Sequence, residues 1–87
     1  MGGGAVTFDD MQVVERHVDD IHPGGLPTML SLDYDRVDVD ATKLDDTEAG
    51  RLVDLLSQEL GRKGYLWDVW MATDDHIIHV AEREEAS

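Results

Sequence analysis

Apolar residues in this chain change period from roughly 3.6 to 2 and then repeat the change, all within 87 residues. A chain of this length buries only about 60 to 65% of its unfolded surface, so these segments must share one core. Phe8, Met11, Val14, Val18 and Ile21 fall three and four apart, the stripe of an amphipathic helix. Thr7 can cap its start, and Asp9 and Asp10 suit the positive end of its dipole. His22-Pro23-Gly24-Gly25 ends it, because a residue before proline disfavours helical geometry.

From Thr28 the period is two, with Leu30, Leu32 and Tyr34 on one side and Ser31, Asp33 and Asp35 on the other. Alternation resumes at Val37, Val39 and Ala41 in the opposite phase. The spacing therefore predicts either a tight turn at Asp35-Arg36 that starts a second strand, or a bulge in one long strand; the turn is preferred. A second helix is expected after Asp45, its N-cap, with Glu48 in the capping-box position. Ala49, Leu52, Val53, Leu56 and Leu60 form its buried stripe, and Gly61 or Gly64 ends it. Tyr65 to Ala72 and His76 to Glu82, rich in aromatic and β-branched residues, read as a hairpin about Asp74-Asp75.

The expected fold is α+β, with two helices packed on one face of a three- or four-stranded, mainly antiparallel sheet. Residues 6–87 form the single domain, and the glycine-rich lead-in at 1–5 has nothing to bury.

A hairpin centred on Asp74-Asp75 puts Tyr65, Trp67, Val69 and Met71 on one face with Ile78 and Val80. Its other face carries Leu66, Asp68, Trp70, Ala72, Ile77, His79 and Ala81, which is apolar for a surface that meets water in a two-layer fold. Leu66, Asp68, Trp70, Ile77 and His79 are the expected partner-binding residues, since tryptophan is enriched at interface hot spots. The competing packing covers this face with the first helix or the N-terminal segment and makes Trp70 ordinary core.

Charge limits the partners. Twenty acids stand against seven bases, a formal charge of -13; fourteen of the acids are aspartate, and only two of the bases are lysine. Phosphate contacts need clustered Lys and Arg, so direct nucleic-acid binding and attachment to an anionic membrane are not expected. Only Arg51 to Lys63 is near balance, with three bases and two acids. No apolar run approaches a membrane span of about 18 residues. The absence of cysteine removes disulfides and thiolate metal sites and fits a reducing cytoplasm.

No catalytic set, nucleotide loop or cofactor motif is present. His76 and His79, three apart on a strand, point to opposite faces, and His17 and His22 are poorly spaced, so no zinc site is expected. Asp33, Asp35, Asp38 and Asp40 resemble an oxygen-ligand cluster, but Val37 and Asp38 stand where a calcium loop needs a ligand and a glycine. His79 near Asp68 and Trp70 is the one constellation with acid-base character. The functional expectation is an acidic protein-interaction module, an inhibitor or regulator of a basic, nucleic-acid-binding partner. The alternative is a salt-adapted domain, a homodimer with a ligand or catalytic site between protomers, because the aspartate-rich, lysine-poor composition suits a high-salt solvent.

Overall fold

The computed structural model describes residues 6–72 and 74–82, so the lead-in expected over 1–5 lies outside the described residues. Helix α1 spans Phe8–Ile21 and opens in a reciprocal box. The Thr7 hydroxyl accepts from the Asp10 amide, and the Asp10 carboxylate accepts from the Thr7 amide. Both bonds satisfy donors that a helix start leaves without intrahelical partners. Phe8, expected on the buried stripe, is 64% exposed; Val14 and Val18 carry the burial, flanked by Met11, Val13 and Ile21. Beyond the extended cap His22, Gly24 and Gly25 adopt the left-handed backbone that side chains disfavour.

Strands β1 (Thr28–Leu30) and β2 (Val37–Asp40) pair antiparallel, with Leu30 opposite Val37. The expected run through Leu32 and Tyr34 to a turn at Asp35-Arg36 does not form. β1 stops after 3 residues, Leu32 is 98% exposed, and Tyr34 is also exposed, with a left-handed backbone. Ser31 accounts for the difference. Its hydroxyl donates to the Asp35 carboxylate at 2.6 Å and accepts from the amides of Asp35 and Arg36. Local side-chain bonds of this kind compete with strand pairing and close the loop early. The change of phase persists, because the loop places Leu30 and Val37 on the same face.

Helix α2 spans Asp46–Arg62, and the Asp45 carboxylate caps it by accepting from the Glu48 amide at 2.8 Å. Its stripe of Ala49, Leu52, Leu56 and Leu60 is buried, with Val53 packed alongside. Gly64, with a φ of 90°, turns the chain away just after the Lys63 cap. Strands β3 (Trp67–Met71) and β4 (Ile77–Glu82) form the C-terminal hairpin, with Met71 opposite Ile78 and hence a centre between Asp74 and Asp75.

The four strands form one antiparallel sheet in the order β1-β2-β4-β3. Because β4 enters between β2 and β3, α2 joins two strands that run parallel with an antiparallel strand between them. Both helices pack on one side, α1 against β1 and β2, α2 against β3. Val37, Val39, Ile78 and Val80 point into that layer and are essentially inaccessible. The ring of His76 fastens the hairpin turn to the start of α2: Nδ1 lies 3.2 Å from the Leu44 carbonyl and Nε2 2.6 Å from the Asp46 carboxylate. Both partners can only accept, so the two bonds coexist when the ring is an imidazolium.

Leu56→Ala is expected to lower the unfolding free energy by about 2–5 kcal/mol in urea titration. Leu32→Ala should change it by less than about 0.5 kcal/mol, since an exposed loop side chain has no core contact to lose.

Candidate functional site

With both helices on one side, no element among the described residues lies over the side chains on the other face of the sheet. Register determines which ones these are. Asp38 lies opposite both Met29 and His79, His79 opposite Trp70, Asp40 opposite Ile77, and Asp68 opposite Ala81. At the centre, His79 Nδ1 is 2.7 Å from Asp38 Oδ1, and Arg36 Nε reaches the same oxygen at 3.0 Å. The Trp70 ring lies 5.4 Å from the imidazole, tilted by 38°.

A carboxylate only accepts, so the His79 Nδ1 carries the proton and, in the neutral ring, Nε2 holds the lone pair. The His79 and Asp38 side chains are only 16% and 17% exposed, which shields their bond from water. Arg36, at 41%, supplies the second charge that a half-buried carboxylate needs. Around this polar centre the surface is apolar and open: Trp70 is 44% exposed and Met29 54%, with Ile77 and Ala81 half-buried.

Of the residues singled out from the sequence, Asp68, Trp70, Ile77 and His79 lie on this face. Leu66 sits just before β3 and is exposed. His79 bonds to Asp38, which the hairpin alone does not reveal because it lies on the neighbouring strand β2. Met29, Arg36 and Asp38 were not among the expected site residues. Their signal is the alternation of Asp38 and Asp40 against Val37 and Val39, which fixes the open side once β2 is known to border β4.

The acidic row is locally engaged. Asp35 bonds to Ser31, Asp38 to His79 and Arg36, and Asp40 to the amide and hydroxyl of Thr42. Among the described residues, no three His, Asp or Glu side chains are placed to share a metal ion. The Ser31 hydroxyl holds the Asp35 carboxyl below its usual 3.8 against the opposing effect of desolvation, with lesser help from the Asp35 amide and the Arg36 charge. The Thr42 hydroxyl, then the Thr42 amide, does the same for Asp40.

A histidine oriented by a carboxylate is part of an acid-base arrangement, but such chemistry needs a recess that holds substrate and excludes water. The grooves lined by Ile21 and Leu52, by Arg16 and Pro27, and by His17 and Tyr65 all involve the helices, and none is lined by His79. An open face with exposed apolar side chains around a polar centre suits a macromolecule better than a small substrate. Compared with protein families, with curated proteins and with solved structures, the chain matches none, so no role passes to it from a relative.

Asp38→Ala is expected to release the His79 ring from its Nδ1–H form to mixed tautomers, visible in imidazole ¹⁵N shifts. Thr42→Val should move the Asp40 titration upward toward 3.8 in carboxyl NMR. Because the folded-state value is depressed, Asp40 stabilises the fold above its unfolded value, and that contribution disappears as pH falls through the folded one.

Proposed function

We propose that this protein is an acidic interaction module that docks a basic protein partner on the open face of its sheet and so inhibits or regulates that partner. The observation that carries this reading is the placement of exposed Trp70 and Met29 on the same sheet face as Asp38, Asp40 and Asp68. Long-range attraction by the net charge of -13 speeds encounter with a basic surface, and the apolar side chains then provide contacts that exclude water. A nucleic-acid-binding protein has the required surface, because its own ligand is a polyanion. Two copies meeting face to face would bring like-charged aspartates together, which disfavours self-docking on this surface.

The lysine-poor, aspartate-rich composition supports a second reading, a domain adapted to a salty solvent whose charge specifies no partner. Among the described residues no helix is long and apolar enough to cross a membrane.

A titration of ¹⁵N-labelled protein with an amphipathic Lys/Leu helical peptide separates the two. Docking predicts shifts concentrated at Met29, Asp38, Trp70 and His79, and an affinity that drops about tenfold or more between about 50 and 500 mM NaCl. Trp70→Ala should weaken binding by about 2 kcal/mol. Shifts scattered over every acidic loop, unchanged by Trp70→Ala, would show charge without a docking site.

A further inference from the structure

On the helix side, away from the docking face, one groove is basic although the two helices together carry nine acids and three bases. A groove of about 440 Å³ is lined by Arg16, His17 and Asp20 of α1, by Glu59, Arg62 and Lys63 at the end of α2, and by Tyr65. Three of the seven basic residues of the chain thus gather here beside only two of its twenty acids. Among the described residues Arg16 and Lys63 form no ion pair, although acids outnumber bases almost threefold.

Arg62 is steadied by Glu59, yet only its Nη2 is engaged, at 2.7 Å from each carboxylate oxygen. Its Nε and Nη1 remain available to a second acceptor. The dipole of α2 explains a cation in the last helical turn, but not Arg16 within α1, nor the aromatic wall beside it. That wall is continuous. His17, fixed by a 2.8 Å bond from Nδ1 to the Val13 carbonyl, meets the Tyr65 ring edge-on, and Tyr65 stacks on Trp67 with 4.8 Å between centroids.

We infer that this groove is a binding site for a small aromatic phosphate of nucleoside monophosphate size. Arg16, Arg62 and Lys63 take the phosphate, and Tyr65 takes the ring. The volume falls within the range of small-ligand sites, about 300–1,000 Å³. With Nη2 held by Glu59, Arg62 offers single N–H donors at Nε and Nη1, and its charge adds to those of Arg16 and Lys63 at the phosphate.

Adenosine monophosphate is the probe, with inorganic phosphate and adenosine as controls, followed by ¹H–¹⁵N shift mapping on the full chain. Saturable shifts at Arg16, His17, Arg62, Lys63 and Tyr65 are expected, with inorganic phosphate at least about tenfold weaker and adenosine weaker still. Arg16→Glu and Lys63→Glu, both exposed and checked for an unchanged amide spectrum, should each weaken binding about tenfold. Trp70→Ala should leave it unchanged, so the outcome is independent of the docking face. Absence of saturation at millimolar probe, equal affinity for inorganic phosphate, or shifts spread equally to Lys43 and Arg51 would overturn the assignment.

Discussion

Burial of the alternate side chains of β2 and β4 beneath two helices is the constraint from which the other features follow. Val37, Val39, Ile78 and Val80 form the floor of the core, and Leu52, Leu56 and Leu60 with Val14 and Val18 form its roof. Each buried aliphatic side chain contributes about 1.5–3 kcal/mol, and together they must outweigh both chain entropy and the mutual repulsion of the acids. A chain of 87 residues has enough apolar material for one such layer. The period-two geometry of a strand then puts the opposite row of every strand on a face that no element among the described residues covers.

What that uncovered row contains gives the molecule its character. A two-layer fold ordinarily presents polar side chains there, yet Trp70, Met29 and Ile77 stand among the carboxylates. The centre avoids unpaired burial through one shared acceptor: Asp38 takes bonds from both Arg36 and His79 and has no unsatisfied buried partner. The scarce cations are not spread evenly to neutralise the acids. Arg16, Arg62 and Lys63 line one groove between α1 and the end of α2, a basic recess on an otherwise acidic molecule.

Much of the architecture is legible in the sequence where several local signals agree. For α2, the Asp45 cap, the apolar stripe and the closing Gly64 all point to one helix. The C-terminal hairpin is legible for a similar reason, since aromatic alternation on both sides of Asp74-Asp75 fixes its register. The loop after β1 is not legible because Leu30, Leu32 and Tyr34 imitate a strand, while one hydroxyl, that of Ser31, decides the matter. Strand order is illegible by nature. The insertion of β4 beside β2 is a long-range pairing, and it alone brings Asp38 to His79 across 41 positions of sequence. The basic groove has the same origin, because Arg16 and Tyr65 come to line one recess only once the helices have packed.

The central claim is that both helices lie on one side of the sheet and leave the Trp70 side open. Acrylamide quenching of Trp67→Phe, which retains Trp70 as the sole indole, tests it directly in a sample confirmed as monomeric by light scattering. Quenching of Trp70 should approach half that of free tryptophan and exceed that of Trp67 measured in Trp70→Phe. A Trp70 as protected as a core residue in that monomer would contradict the account.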